Sequence, residues 1–196
     1  KNINERQYLL KTDRYDETWI CKLENNIVNL GLDIYKKRLS QIEILNKNLI
    51  EFSVESNFFY NYSFQLSDQL LEKNIKILYD KELYLFELKN NRSKDLFSGG
   101  CTFGPHRSDF IGFNKQNNFN LSQLSTGQQK TIVLLLIIFQ SKYLISNLDI
   151  KPIVLFDEVC SHLDDSNREL LLHLSNDLKV QTFMTGTEKD FFSFLS

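Results

Sequence analysis

Several residue types are missing from this chain or scarce in it. Its 196 residues include no alanine and only two prolines, one methionine and one tryptophan, whereas Asn, Lys, Ile, Leu and Phe are abundant. This pattern is typical of a protein from an AT-rich genome. The three cysteines, Cys21, Cys101 and Cys160, are far apart and odd in number, which fits neither a disulfide framework nor a C-x-x-C metal site. We expect reduced thiols, as in the cytoplasm.

Long apolar runs and an excess of positive charge are also absent. The longest apolar stretch, residues 132–139, is far short of the roughly 20 residues that cross a bilayer, and no apolar segment near the start indicates a signal peptide. Lys and Arg number 23 against 25 Asp and Glu, which gives a formal net charge of -2. We therefore expect a soluble protein, and any contact with DNA has to come from a local patch or a partner.

The first half of the chain has the pattern of a helical domain. Apolar residues at three- and four-residue steps from residue 16 to about residue 52 predict one long amphipathic helix or a pair of helices. Alternation over residues 58–64 predicts a strand, and Ser67 is the predicted cap of a second helix. The polar segment 90–98 and the following Gly99 and Gly100 predict a loop. We therefore predict a mainly helical arm domain over residues 1–95 and a second domain over residues 96–196.

Strands and helices alternate in the second half. Ser125 is predicted to begin a helix whose apolar face is residues 132–139. A strand over residues 153–156, a helix over residues 166–178 and a strand over residues 180–185 are then predicted. The order strand, helix, strand indicates a right-handed parallel βαβ unit, so the predicted fold class is α/β.

Two adjacent carboxylates, Asp157 and Glu158, follow the first of these strands. They are predicted to lie at the carboxyl edge of the sheet, where α/β proteins bind ligands. An Asp there can hold Mg²⁺ through its waters, and a Glu beside it can orient or deprotonate a water that attacks a γ-phosphate. A buried strand followed by a solvated acidic turn is the alternative.

A helix start rich in small residues precedes the carboxylates. Ser125 is the predicted N-cap and Gly127 leaves the backbone open to close approach, so free N–H groups and the helix dipole can bind an anion there. Such a start by itself indicates only a capped helix. Here it is followed by Asp157-Glu158 and then by Ser-His-Leu-Asp at residues 161–164, which is the order of signature, Walker B and D-loop in ABC-type ATPases.

Four stretches together resemble the carboxyl-terminal part of the RecF family, bacterial recombination mediators among the SMC-like ABC ATPases. They are GPHRSD at residues 104–109, residues 124–130, residues 155–164, and QTFMTGTE at residues 181–188. The likeness covers nearly the whole chain and is less specific in the arm. The pairing of Asp157-Glu158 with Ser-His-Leu-Asp resembles the alphaproteobacterial variety of the family.

The resemblance implies a role for each motif. The fold is the carboxyl-terminal part of an ABC-type ATPase head, and two such heads form an ATP-dependent homodimer around two nucleotides. Ser125, Thr126, Gly127 and Gln128 would contact the nucleotide held by the partner head. Asp157 would order Mg²⁺, Glu158 would be the catalytic base and Asp164 would line the dimer seam. Thr185 stands where many ABC proteins have a His that senses the γ-phosphate, so slow hydrolysis is expected.

The resemblance also implies partners and a process. They are duplex and single-stranded or gapped DNA, bound in recombinational repair, replication restart and the SOS response, in the cytoplasm at the nucleoid. In the family, ATP closes the dimer on DNA, RecR and RecO help to load RecA onto single strands coated by SSB, and hydrolysis releases the DNA. The intact protein would be a slow, DNA-stimulated ATPase.

The main departure from an ATPase is the missing phosphate loop. That loop needs G-x-x-x-x-G-K-[ST]. The only glycines at this spacing are Gly99 and Gly104, and they are followed by Pro105 and His106. In the family the loop belongs to an amino-terminal half, and the chain opens on Lys1 without an initiator Met. We expect the later part of a longer protein, which alone neither holds ATP tightly nor hydrolyses it.

Two basic segments allow more than one interpretation. His106 and Arg107 are candidates for a contact with a phosphate of a nucleotide or of DNA, or Arg107 pairs with Asp109 in an ordinary turn. Residues 36–38, Lys-Lys-Arg, are either a solvated helix face or a contact to a DNA backbone.

Other classes of protein remain as alternatives. The missing phosphate loop also fits a non-catalytic module that only dimerises or docks a partner. Another SMC-like or transporter-type ABC head is a third possibility. Transport cassettes lack a helical insertion of this length, SMC arms are long heptad coiled coils, and neither class has the GPHR-x-D loop.

Overall fold

The computed structural model describes residues 1–12, 16–55, 62–115, 117–158, 163 and 165–186. The chain divides into two compact units. The first comprises residues 1–43 and 64–111, and the second comprises residues 44–63 and 112–196. The predicted boundary between residues 95 and 96 falls inside the first unit, and the division into an arm and an ATPase lobe stays a prediction.

The chain begins with two helices, α1 (Asn2–Leu10) and α2 (Glu17–Glu55), and the part of α2 up to residue 43 belongs to the first unit. Of the two predicted possibilities, α2 is the single long helix. The Asp16 carboxylate begins it by accepting the Thr18 N–H at 2.8 Å. The hydrophobic side chains that α2 buries in the first unit are Ile20, Leu23, Ile27, Val28 and Tyr35. Trp19, Leu30 and Ile34 are among the apolar residues whose three- and four-residue steps predicted the helix, but they are between 42% and 58% exposed, so the buried face differs from the one the spacing indicates.

The region predicted as a strand and a second helix is divided differently. Strand β1 is Tyr62–Ser67, and the expected start of the strand lies outside the described residues. The predicted second helix is three short elements, α3 (Gln69–Lys73), a 3₁₀ helix (Ile75–Leu78) and α4 (Lys81–Asn90). Asp68, not Ser67, caps α3, and Asn74 and Asp80 cap the next two elements with their side-chain oxygens. These short polar side chains end one helix and start the next because they hydrogen-bond to nearby backbone N–H groups.

The loop predicted over residues 90–98 is also wrong, because this segment is helix α5 (Arg92–Ser98). Gly99 ends it in the left-handed conformation, with φ of 75°. The sequence 91–98 is polar and gave no apolar periodicity, but Asp95 is fully buried in the helix. Its burial depends on partners that are distant in sequence.

Those partners form a buried ion network centred on Arg6 of α1. The Arg6 guanidinium donates to Glu24 at 2.9 Å, to Asp95 at 2.7 Å and to the Leu88 carbonyl at 2.8 Å. The side chains of Arg6, Glu24 and Asp95 are at most 1% exposed. Arg92 donates to the second oxygen of Glu24 at 2.7 Å. The network therefore ties α1, α2 and α5 together.

Tyr84 of α4 packs closely against two glycines of this unit. A Cβ on Gly31 of α2 would lie 3.0 Å from the Tyr84 ring, and a Cβ on Gly104 would lie 2.8 Å from its phenol oxygen. Gly104 also has φ of 115°, which L side chains rarely adopt. A side chain at Gly104 would therefore be strained and meet the tyrosine, whereas one at Gly31 would require the tyrosine ring to shift by a few tenths of an ångström. Tyr84 belongs to the core of the unit with Tyr35 and Phe103.

Two sheets are present in the described part of the chain. Strands β1, β2 (Asp109–Asn114) and β3 (Phe119–Asn120) form the first in that order, with β2 and β3 antiparallel. The second unit continues with α6 (Thr126–Leu148), β4 (Val154–Phe156), α7 (Asp165–Asp177) and β5 (Thr182–Met184). Strands β4 and β5 are parallel, with Leu155 opposite Phe183, which confirms the predicted βαβ unit and the α/β class.

Helix α6 is the central helix of the second unit. By length and composition alone it could cross a membrane. It packs against α7, and its buried side chains include Leu135, Ile138 and Phe139. The core helix of a globular unit can have the same apolar composition.

Candidate functional site

The ends of the two parallel strands meet at one edge of the sheet. Asp157 and Glu158 follow β4 directly, and Thr185 follows β5. The Thr185 N–H donates to the Phe156 carbonyl at 2.9 Å, which extends the ladder by one residue beyond the strands. The Thr185 hydroxyl donates to Asp157 Oδ1 at 2.5 Å and accepts the Glu158 N–H at 2.8 Å. Both carboxylate residues are exposed, so the sheet edge presents them to solvent.

Glu158 has an uncommon backbone conformation. Its φ is 47°, in the left-handed region that residues other than glycine seldom occupy. Lys130 Nζ on α6 donates to the Glu158 carbonyl at 2.5 Å. The peptide groups on both sides of the Glu158 Cα are therefore held, one by Thr185 and one by Lys130.

The start of α6 is a complete capping box. The Ser125 hydroxyl accepts the Gln128 N–H at 3.3 Å, and the Gln128 side chain accepts the Ser125 N–H at 3.1 Å. The predicted cap at Ser125 is confirmed. The Thr126 and Gly127 N–H groups belong to the first turn, which has no helix carbonyls to bond, so they point out of the helix end. The helix dipole adds to the positive potential at that end.

Asp157 has the chemistry of a magnesium ligand. One of its carboxylate oxygens, Oδ1, is bonded to Thr185, and the other has no hydrogen bond within the described residues. Mg²⁺ prefers oxygen ligands and is usually bound through one or two carboxylates together with substrate phosphates. No cluster of three or more acidic, His or Cys side chains occurs in the described ranges.

The structure brings only some of the predicted site residues together. Asp157, Glu158 and Thr185 share one sheet edge, and the helix that begins with the residues 125–128 reaches the same edge through Lys130. Asp164 lies outside the described residues. The sequence analysis did not single out Lys130, although it ends one of the four stretches on which the resemblance rests.

The GPHR loop lies in the first unit and is built as a tight turn. The Arg107 N–H donates to the Gly104 carbonyl at 2.8 Å, and a ring nitrogen of His106, Nε2, lies 3.0 Å from the Cys101 carbonyl, to which it donates. Arg38 of α2 donates to the Pro105 carbonyl and to the Ser108 hydroxyl. Arg38 therefore supports this loop. The residue is also exposed, as both interpretations of residues 36–38 require.

The turn leaves Arg107 pointing away from these contacts. Its side chain is exposed, and within the described part of the chain its guanidinium has no hydrogen bond or ion pair. Asp109, the alternative partner, instead accepts the N–H of Phe110 at 2.8 Å. The predicted alternative in which Arg107 pairs with Asp109 is therefore wrong.

The described cysteines, Cys21 and Cys101, are free thiols, as expected from their spacing. Cys101 is buried next to the GPHR loop, and burial raises the pKa of its thiol. A thiol with a raised pKa is a poor nucleophile, because the thiolate is the reactive form. Cys101 is thus a structural residue, and Cys160 lies outside the described residues.

A capped helix start and an acidic strand end on a parallel βαβ unit are the features expected of the carboxyl-terminal part of an ABC-type head. No protein-family model matches the chain. The DNA replication and repair protein RecF of Rhizobium etli is 33% identical over 196 residues, which cover 99% of this chain and 52% of that protein. The protein of the same description from Rickettsia typhi is 30% identical over 189 residues, which cover 96% of this chain and 52% of that protein. The chain therefore corresponds over nearly its whole length to a carboxyl-terminal portion of RecF proteins, as its motifs predicted.

Solved structures show the same fold. The recombination mediator protein RecF-ATP in the RecFOR pathway matches with a TM-score of 0.71 and 24% identity, over 97% of this chain and 52% of that chain. The RecF-ATPrS structure of the same pathway gives the same TM-score over 96% of this chain. The chain spans about half the length of the curated relatives it matches.

Proposed function

We propose that this chain is the carboxyl-terminal portion of an ATP-dependent DNA-binding protein of recombinational repair and replication restart. The observation that carries the proposal is the cluster of Asp157, Glu158 and Thr185 at the sheet edge, reached by the helix that begins at the capping box. The relatives are described as DNA replication and repair proteins, and the matched structures as a recombination mediator with ATP.

Each residue of the cluster has a role in ATP hydrolysis. Bound Mg²⁺ would neutralise phosphate charge, and the unbonded oxygen of Asp157 is suited to hold it. The exposed carboxylate of Glu158 takes a proton from the attacking water. The first-turn N–H groups at Thr126 and Gly127 bind the phosphates of a nucleotide held by a second head, and Ser125 and Gln128 keep that turn in shape. Asp164 lines the seam between the two heads.

The β4–β5 sheet exposes apolar side chains that another part of an intact protein would cover. Leu155 and Phe183 lie opposite each other in the β4–β5 ladder and are 70% and 52% exposed. Apolar side chains paired on a sheet face are normally covered. This supports a further part of an intact protein that packs there and contributes the phosphate loop, as the resemblance implies.

Restored ATPase activity is the expected result when this chain is joined to the amino-terminal half of the Rhizobium etli relative. The chain alone is expected to release no phosphate from ATP. The joined protein is expected to hydrolyse ATP slowly, and faster with DNA. Phosphate release is measured for both, with the intact relative as the positive control and circular dichroism as the check on folding. A folded chimera without activity beside an active relative would contradict the proposal.

The same experiment distinguishes an ATPase half from the alternative, a non-catalytic binding module. The absence of a phosphate loop within residues 1–196 favours that alternative on its own. A pure docking or dimerisation module gains no activity from a supplied half. An ATPase half gains both nucleotide binding and turnover.

Within the proposed function, the GPHR loop is a contact to a DNA phosphate. Arg107 is the residue suited to it, because its guanidinium is exposed and has no partner in the described ranges, and a planar fork matches a phosphate. His106 supports the turn with one ring nitrogen and has only the other available for the phosphate.

The substitution Arg107→Gln is expected to weaken DNA binding without changing ATP affinity. Removal of one phosphate contact lowers the slope of log K against log salt by about 1, because one fewer counterion is released. Fluorescence anisotropy of a labelled gapped duplex at several salt concentrations measures this slope in the chimera. Lys94→Gln, at an exposed position of α5, is the charge-matched control. Equal slopes for the two variants would argue against Arg107 as a phosphate contact.

The remaining parts of the proposal follow from the resemblance. The partners are duplex and gapped or single-stranded DNA, a second copy in an ATP-dependent homodimer, and RecR, RecO and RecA. The location is the cytoplasm, at the nucleoid.

A further inference from the structure

The backbone of Glu158 is held on both sides by side chains from other elements. On the amino side, the Thr185 hydroxyl accepts the Glu158 N–H at 2.8 Å and donates its proton to Asp157 at 2.5 Å. On the carboxyl side, Lys130 Nζ donates to the Glu158 carbonyl at 2.5 Å. Thr185 comes from the end of β5 and Lys130 from the second turn of α6.

These contacts surround an unfavourable backbone conformation. Glu158 has φ of 47°, and left-handed geometry is unfavourable for a side chain with a Cβ. Such residues keep this conformation only where the surrounding structure imposes it, and they concentrate at functional sites. At the end of β4 it also turns the chain out of the strand direction immediately at the acidic pair.

The hydroxyl of Thr185 makes both of its contacts through one oxygen, whereas a neutral imidazole has its donor and its acceptor on two separate ring nitrogens. A hydroxyl donates one hydrogen bond and accepts two, so it can donate to Asp157 and accept from the Glu158 N–H at once. Both of these bonds are present. Thr185 therefore joins the two acidic residues to each other, in addition to any contact it makes with a nucleotide.

We infer that Lys130 and Thr185 are positioning residues that fix the backbone of Glu158, so that its carboxylate meets the attacking water. This inference rests on the proposed function of Glu158 as the catalytic base. Through its hydrogen bond to the Glu158 carbonyl, Lys130 connects the start of α6 with the proposed base. Positioning of this kind affects the rate of the chemical step more than substrate affinity.

The first arm of the test is independent of ATP. Amide hydrogen exchange at Glu158, followed by NMR in this chain, is expected to become about five- to tenfold faster in Thr185→Val, because that variant loses the acceptor for the N–H. Thr185→Ser keeps the hydroxyl and is expected to restore protection. Unchanged exchange in Thr185→Val would overturn the inference for Thr185.

The second arm measures ATP hydrolysis in the chimera with the Rhizobium etli half. Lys130→Met keeps most of the side-chain stem and removes the donor, and we expect it to lower kcat about tenfold with KM within about twofold of wild type. Lys130→Arg restores a donor and is expected to recover part of kcat. Lys151→Met is the matched control, because Lys151 is exposed ahead of β4.

The outcomes separate this inference from the proposed function. A wild-type chimera without activity would overturn the proposed function. An active chimera in which Lys130→Met and Lys151→Met have the same kcat would overturn the role of Lys130. A change of KM alone would do the same, because it indicates lost binding of the substrate and not a displaced base.

Discussion

Glu158→Gln in the chimera is expected to lower kcat for ATP hydrolysis by about 10²- to 10⁴-fold, the range for loss of a general base. The amide has nearly the same shape as the carboxylate but cannot take a proton from water. Nucleotide binding is expected to be retained, because in our assignment Asp157 and the phosphate loop hold the nucleotide. The DNA-bound dimer is then expected to last longer, since hydrolysis is the release step. Phosphate release and the dissociation rate from labelled DNA measure the two effects.

The control for this substitution is Glu169→Gln on α7. Glu169 is exposed and lies away from the acidic pair in sequence, so the same chemical change there is expected to leave both rates as in wild type. A Glu158→Gln protein with unchanged turnover and unchanged dissociation would exclude Glu158 as the base.

Arg6→Met is expected to reduce the free energy of unfolding of this chain by about 3–5 kcal/mol, the usual cost of removing one partner from a buried ion pair. Glu24 still has Arg92, but the Asp95 oxygen that accepts from Arg6 would be left without that donor in a fully buried position. The methionine fills part of the volume, so the loss comes mainly from the uncompensated charge and less from a cavity. Urea unfolding followed by circular dichroism measures the change.

A second substitution identifies the cause of this loss. Asp95→Asn in the Arg6→Met background removes the uncompensated charge and still offers an oxygen to Thr102, which donates to Asp95 at 2.8 and 2.9 Å. The double variant is expected to be more stable than Arg6→Met alone. Lys11→Met, at an exposed position after α1, is the control and is expected to change stability by less than about 0.5 kcal/mol. A double variant less stable than Arg6→Met would show that packing, not charge, causes the loss.

The helical region shows where local sequence information is insufficient. The second helix was predicted from apolar residues at helical spacing, but Asn74 and Asp80 interrupt it and cap its pieces. Periodicity does not distinguish one long helix from three short elements with the same buried face. For the segment 92–98 the polar sequence predicted a loop where the structure has a helix. The helix buries Asp95, whose contacts are with Arg6 and Thr102, and the local sequence gives no sign of them.

The cap of α6 and the end of β4 were predicted better than the short helices of residues 69–98, because their signals are local. The cap at Ser125 needs only Gln128 three residues later, and the strand before Asp157 is marked by its own apolar run. The hydrogen bonds of Lys130 and Thr185 to Glu158 at this sheet edge were not predicted. Those contacts join residues 27 and 28 positions apart, and the sequence contains no sign of which side chain bonds to which backbone group.

By itself, the sequence determined the α/β class, the parallel βαβ unit and the order of the motifs, and four of its stretches carried the resemblance to the RecF family. The class and the unit depend on periodicity, capping or spacing within short segments. The tertiary structure alone decided that Arg38 supports the GPHR loop, that Arg107 remains exposed, and that Glu158 is held in a left-handed conformation from both sides. These features depend on contacts between residues that are distant in sequence and come together only when the chain folds. No single segment therefore predicts them.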